Sequence, residues 1–294
     1  MIRYPWNDQA VDEAINQIDR NWPEKAAQRT DALITLGRYE EASSIWSTVK
    51  PIYMKLQHNK CIYCERQMEG GVYGPIEWDL EHFRPKSNVE PWPNAKRHPG
   101  VAYPVQFGTA SPTGYYWLAY ELGNYAASCK VCNTIFKLNF FPIFNTRAQR
   151  HLGERSLQDE GALLCYPLGE WDEDPEELIT FVLTMAVPKH ATGPENLRAR
   201  VIIDFFGLNK RDYLHRQRAQ MIGMVGAALS DRDRGVASGQ AITLLDRMQR
   251  AYIPHAACVR AFIKLWEEND DQAKLGYEQC RLFGFDPELA PPSL

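Results

Sequence analysis

No apolar run in these 294 residues comes near the ~20 that span a bilayer. The longest candidate, Met221 to Leu229, is short and contains glycine. The opening residues, Met1-Ile-Arg-Tyr-Pro-Trp6, lack the apolar segment of a signal peptide. Neither a membrane span nor a secretory route is expected, and a cytoplasmic setting is the expectation. Positive charge is also short: the formal net charge is −4 and the pI about 6.0. That excludes a chain coated in basic surface but leaves room for a local basic groove, because steering depends on where charge sits. No internal repeat and no low-complexity tract occurs. Cysteine is sparse outside two pairs. Of seven, Cys165, Cys258 and Cys280 stand alone and read as small buried hydrophobes. Where thiols stay reduced, paired cysteines point to metal before disulfide. Hydrophobic content of 45% is enough for a real core, and the length suits one large domain or two small ones.

The apolar periodicity predicts helices at both ends. Val11, Ile15, Ile18 and Trp22 share one face of a helix over 8–22 that Asp8 can cap. A helical pattern continues from Pro23 to about His58, jointed at Gly37. Ile76 to Glu81 alternates apolar and acidic residues and predicts a short strand. Residues 87–114, rich in Pro, Gly, Asn and Ser, predict a long surface loop. The aromatic run Tyr115 to Tyr120 is expected to pack beneath whatever follows it. A helix is expected from about Cys129, one strand over 179–187, and helices through the rest, from Leu197 to Phe283.

The chemistry concentrates between Cys61 and Lys137. Cys61-Ile-Tyr-Cys64 and Cys129-Lys-Val-Cys132 have the spacing of zinc half-sites, and together supply four thiolates. The gap from Cys64 to Cys129 exceeds that of compact zinc ribbons, so the metal is expected to tie the ends of an inserted unit. Inside that unit stands Glu81-His82-Phe-Arg84-Pro-Lys86. A histidine can take a proton from water near neutral pH, and a carboxylate suits a hard cation such as Mg²⁺. Alone, Glu81-His82 would read as a surface pair. Its position between the two cysteine pairs, with Arg84 and Lys86 following, favours a reactive site. Asn133, directly after Cys132, offers a neutral oxygen to the same cation, and Lys137 lies four residues on, where a helix would put it on the same face. Each alternative reading, four unrelated core cysteines or a solvated lysine, is structural.

Together Cys-x-x-Cys, Glu-His-Phe-Arg-Pro-Lys, the asparagine of Leu-Gly-Asn124 and Cys-x-x-Cys-Asn-x-x-x-Lys resemble the HNH endonucleases with a ββα-metal fold. The Tyr-Trp-Leu-Ala-Tyr run and the later Phe-Gly-Leu-Asn209 with its downstream arginines narrow the resemblance to the HNH subunit of Septu-type anti-phage systems and its retron-associated relatives. The motifs cover about residues 60–145. The resemblance implies His82 as general base, Glu81 and Asn133 as ligands of a catalytic metal, and Asn124 as the residue that orients the loop carrying the base. It implies Cys61, Cys64, Cys129 and Cys132 as ligands of a structural Zn²⁺. With asparagine rather than histidine at 133, the catalytic ion is expected to be Mg²⁺ or Mn²⁺.

The expected fold is therefore α+β: a zinc-stapled ββα-metal core over 60–145 in a mostly helical protein, with a helical segment over 1–59 and a helical region over 146–294. The expected activity is phosphodiester hydrolysis, with DNA ahead of RNA, in anti-phage defence. The rivals are an RNA nuclease using the same site and a zinc-stapled binding module without catalysis. Arg84, Lys86 and Lys137 are candidate phosphate contacts, as are Arg211 and Arg218 in the basic stretch 189–218, where ordinary helix-surface charge is the competing reading. The resemblance implies an ATPase subunit as partner, and the helical flanks leave room for that partner or for a second copy of the chain.

Overall fold

Two units divide the chain in a computed structural model that describes residues 1–70, 73–148 and 151–292. One comprises 4–59 and 68–172, the other 1–3, 60–67 and 173–294. Helices dominate, and each unit holds one small antiparallel sheet of two strands.

In the first unit, α1 (Asp8–Ile18) buries Val11 and Ile15. Its cap is Asn7, whose side-chain oxygen accepts from the Ala10 amide at 2.9 Å, not Asp8 as expected. Asp8 lies one residue inside the helix and accepts from the Trp6 indole at 2.7 Å. Helix α2 (Trp22–Leu36) carries proline in its first turn and ends on Gly37 at φ +73°, a left-handed position that glycine takes without steric cost. Trp22 thus begins α2 rather than completing α1. After a 3₁₀ turn at Trp46–Thr48, α3 (Lys50–Leu56) packs on the sheet.

Gly74–Glu77 forms a helical turn, α4, so the strand begins two residues later than the alternation predicts. Strand β1 (Trp78–His82) pairs with β2 (Tyr125–Cys129), matching Glu81 to Ala126 and His82 to Tyr125. The helix expected from Cys129 starts after it. Val131–Lys137 is a π-helical segment that closes when the Leu138 amide donates to the Asn133 carbonyl, five residues back, at 2.8 Å.

Between the strands, residues 87–114 leave and return to one point. Tyr115 N donates to Pro85 O at 2.9 Å, and Gly114 sits at φ +57°. A Cβ at 114 would lie 1.7 Å from Ser87 O, so only glycine lets the ends meet there. The excursion contains no helix or strand among its described residues but has a buried interior of Val89, Trp92 and Phe107. It is more than the surface loop its composition suggests.

In the second unit, Pro175–Leu178 forms the short α5. The expected strand over 179–187 is a hairpin, β3 (Ile179–Val182) and β4 (Met185–Pro188). Five helices follow: α6 (Gly193–Phe205), α7 (Asp212–Asp233), α8 (Gly239–Met248), α9 (Ala256–Glu268) and α10 (Asp270–Phe283). The apolar stripes of α7 to α10 meet in one core around Ile222, Val225, Phe262, Trp266 and Phe283. No helix among the described residues is long and apolar enough to cross a membrane.

Candidate active site

His82 ends β1, and its ring stands edge-on between Trp46 (centroids 4.9 Å apart) and Tyr125 (5.0 Å). Nε2 lies 3.1 Å from the Ala119 carbonyl. A carbonyl only accepts, so the proton sits on Nε2 and Nδ1 is left as the acceptor. Burial pushes the imidazole well below its ordinary pKa, and the nearby Lys86 charge acts in the same direction. The ring is therefore neutral at pH 7, the form a base requires.

Glu81 precedes His82 on β1, and the two line one cleft. Its Oε1 lies 3.2 Å from Lys137 Nζ, and that ammonium is also 3.5 Å from the His82 carbonyl. Burial raises the Glu81 carboxyl to about 7 against the opposing charge of Lys137. Lys137 itself is fully enclosed. The regular helix expected here would have set it on an open face beside Asn133, but the wider π turn carries it inward beneath the strand. A cleft of about 230 Å³ is lined by Trp46, Glu81, His82, Lys86, Asn133 and Asn139, among others. At its edge, Asn133 Nδ2 donates to Asp79 Oδ2 at 3.2 Å, and Lys130, outside the cleft lining, pairs with Asp79 Oδ1 at 2.7 Å. Engaging the amide nitrogen leaves the Asn133 oxygen as the group able to meet a cation.

Asn124 is fully buried at the 3₁₀ turn before β2. Its side chain accepts from Arg84 N at 2.7 Å and donates to Arg84 O and Leu118 O, both at 3.1 Å. Its own carbonyl accepts from Phe83 N at 2.8 Å. The turn that follows His82 is thus sewn to the turn that carries Ala119.

The cations predicted to meet phosphate are placed unequally. Arg84 is 2% exposed, paired with Glu154 and Glu160 and lying over the Tyr115 and Phe141 rings. Its guanidinium is enclosed rather than presented. Arg218 is buried as well, donating to Thr184 O at 2.8 Å and Leu208 O at 2.9 Å. Arg211 is half-buried at the start of α7. Elsewhere in the basic stretch, Lys189 pairs with Glu177, Arg198 with Glu173 and Arg216 with Asp212. Lys86 differs from these. It lies in the cleft, 4.8 Å over the Trp46 ring and 5.1 Å over Tyr39, and among the described residues no carboxylate forms an ion pair with it.

Several residues of the site escape a reading of the motifs alone. Asp79 shares a strand face with Glu81, and that i, i+2 relation is visible in sequence once the strand is placed. Trp46, Tyr39, Glu154 and Glu160 come from remote segments and carry no local signal.

The ligand atoms of Cys61, Cys64, Cys129 and Cys132, all buried, lie within 4.8 Å of one another. Four thiolates at Zn–S distances of about 2.3 Å would stand roughly 3.8 Å apart at the corners of a tetrahedron. The donor set and its spacing suit a structural metal such as zinc. Each pair sits on a tight turn. Cys61 N donates to Arg66 O and Glu65 N to Cys61 O, both at 3.1 Å, while Cys132 N lies 3.5 Å from Cys129 Sγ. The remaining cysteines are buried, as expected, and burial raises the Cys258 thiol to about 12.

No protein-family model matches the chain, and no solved structure matches it. Among curated proteins it is similar to the Septu protein PtuB of Bacillus mycoides (strain KBAB4). The two are 35% identical over 135 residues, which is 46% of this chain and 38% of that relative. The similarity therefore spans well under half of the relative's length.

Proposed function

We propose that this chain is a metal-dependent endonuclease of the HNH type, that its β1–β2 hairpin and the helical segment after it form a ββα-metal core, and that it acts in a Septu-type anti-phage system. One observation carries the reading. A neutral histidine at a strand end has Nε2 tied to a carbonyl, Nδ1 free to accept, and its loop locked by a buried asparagine. That is the arrangement a general base needs. The likeness to Septu protein PtuB supports the setting in defence; an ATPase subunit as partner is what the motif resemblance implies.

In this reading Nδ1 of His82 takes a proton from the attacking water. The new P–O bond forms as the bond to the 3′ oxygen breaks, leaving a 5′-phosphate. Glu81 and Asn133 would hold Mg²⁺ or Mn²⁺, whose charge stabilises the phosphate and the departing oxygen. The donors suit such an ion: both are hard oxygens, and Glu81 Oε1 is enclosed with an ion-pair partner but no well-directed hydrogen bond. Asp79 holds the Asn133 amide in place. Lys86, over its aromatic rings, is the cation left to meet a phosphate, whereas Arg84, Lys137 and Arg218 are assigned to holding the scaffold. Zn²⁺ on the four cysteines is structural.

The test is cleavage of plasmid DNA and of RNA by the purified chain, with Mg²⁺, with Mn²⁺ and with chelator. Metal-dependent cutting that His82→Ala abolishes is the expected result, with DNA cut in preference to RNA. Cutting that ignores both metal and His82 would remove the reading.

A further inference from the structure

We propose that the excursion between the strands, over residues 91–110, is a docking site for single-stranded nucleic acid, in which an unpaired base rests against Tyr103 and its flanking phosphates meet Lys96 and Arg97. The inference rests on nucleic acid being the substrate and adds which form of it the chain grips.

Three features carry it. The first is shape. A pocket of about 490 Å³, roughly twice the active cleft, opens within this excursion alone. Trp92 and Phe107 are buried beneath it, their rings near-parallel at 6.1 Å. Tyr103 packs on both, at 5.7 and 5.1 Å, yet stays partly exposed, and Val105 beside it is 47% exposed. A ring held on a rigid aromatic floor with one side open is the kind of platform on which bases stack.

The second is charge. From Pro91 to Tyr120 the sequence has no aspartate or glutamate, in a protein of net charge −4. The same stretch contains Lys96, Arg97 and His98. Asn94 builds the turn that presents the first two. Its side-chain oxygen accepts from Lys96 N at 3.0 Å and Arg97 N at 3.3 Å, and its own amide donates to His98 Nδ1 at 3.0 Å. Lys96 and Arg97 are exposed and form no ion pair among the described residues. A cationic turn beside an apolar pocket matches a polyanion that carries flat apolar rings.

The third is continuity. The excursion departs directly after Lys86 and Ser87, which line the active cleft, and Glu90 pairs with Phe140, next to Asn139 of that cleft. A strand leaving the cleft along this edge would meet the pocket. Arg147 pins the far side by donating to Thr109 O at 2.6 Å.

The experiment measures binding, not cleavage, with the full chain carrying His82→Ala. Fluorescence anisotropy would follow a labelled oligothymidylate, an oligouridylate of equal length and a blunt duplex across a salt series. Both single strands should bind more tightly than the duplex, and the DNA and RNA arms show which of the two is preferred. Adding Tyr103→Ala should weaken single-strand binding about tenfold with little change in salt slope, while Tyr103→Phe should restore it. Lys96→Ala with Arg97→Ala should instead flatten the slope by about 1.4, the value for two phosphate contacts on a single strand. Matching circular dichroism and melting temperatures would show that each variant still folds. Loop variants that bind like their parent, or a parent that prefers duplex, would overturn the proposal while leaving wild-type cleavage, and so the nuclease reading, untouched. A parent that binds no nucleic acid would remove both.

Discussion

The side-chain amide of Asn124 grips both backbone groups of Arg84, its oxygen on the amide and its nitrogen on the carbonyl. With Phe83 N on the Asn124 carbonyl, the β1–β2 pairing is in effect carried past the strand end by a side chain. The residues after His82 cannot shift unless these bonds break. Asn124→Ala would strand the Arg84 amide and the Arg84 and Leu118 carbonyls in a buried site. A loss of about 3 kcal/mol is expected in urea unfolding, given roughly 1–3 kcal/mol for each unsatisfied buried group. Asn124→Asp should be no milder, because it sets an acceptor against two carbonyls. A variant as stable as the parent would contradict the arrangement.

Elemental analysis should find about one zinc per chain, bound through the four buried cysteines. Strong chelation or Cys132→Ser should lower the melting temperature and blur the transition, because structural zinc contributes folding free energy directly. Cys165→Ser, outside the cluster, should leave zinc content unchanged. Folded protein that contains no zinc would exclude the metal assignment.

What could be read from the sequence was chemistry set by residue type and close spacing. The grouping of the paired cysteines, and the meeting of Glu81, His82 and Asn133 in one cleft, were visible because they depend on neighbours a few positions away. The helices from α6 to α10 were visible because their apolar stripes keep one period. What could not be read was enclosure. Arg84 beside His82 looks like a phosphate contact until Glu154 and Glu160 close around it. Lys137 turns inward because a π turn replaces the regular helix. The break between β3 and β4 is hidden for a similar reason. No glycine, asparagine or proline marks Leu183-Thr184, which is held instead by Arg218 on the Thr184 carbonyl and His215 on its hydroxyl. Tertiary partners, not local propensity, fix that turn.

The buried clamp around Arg84 gives a pH dependence. Burial raises the Glu154 carboxyl to about 7 from its ordinary 4.5, against the opposing pull of Arg84. Between those values the folded chain holds a proton that the unfolded chain has released. The stability this contributes is full below pH about 4.5 and is lost as pH rises through about 7. Glu154→Gln keeps a neutral group at every pH. Relative to wild type, the variant should therefore gain stability from pH about 5 to pH about 8, by at most about 3 kcal/mol. Melting curves across that range test it, and a constant or narrowing gap would argue against the raised carboxyl.

Catalysis separates the site residues by class. His82→Ala removes the proposed base without touching the cysteine cluster, so zinc content and folding should persist while cleavage falls by at least about 10²–10⁴-fold. Added metal should not restore it, since no ligand is lost. Asn133→Ala removes a proposed ligand, and its defect should shrink as Mg²⁺ or Mn²⁺ is raised. Glu81→Ala should follow the same pattern more severely, because it removes a charge and strands Lys137 in a buried site. Glu81→Gln separates these two effects by keeping the shape. Lys86→Ala should behave as neither class. It should weaken substrate binding and reduce its salt slope by about one phosphate contact, with little change in metal requirement. Single-turnover cleavage over a metal series, alongside binding over a salt series, distinguishes the three patterns. A His82→Ala variant that cuts at the wild-type rate would end the HNH reading whatever the zinc content, because no other neutral imidazole lines this cleft among the described residues.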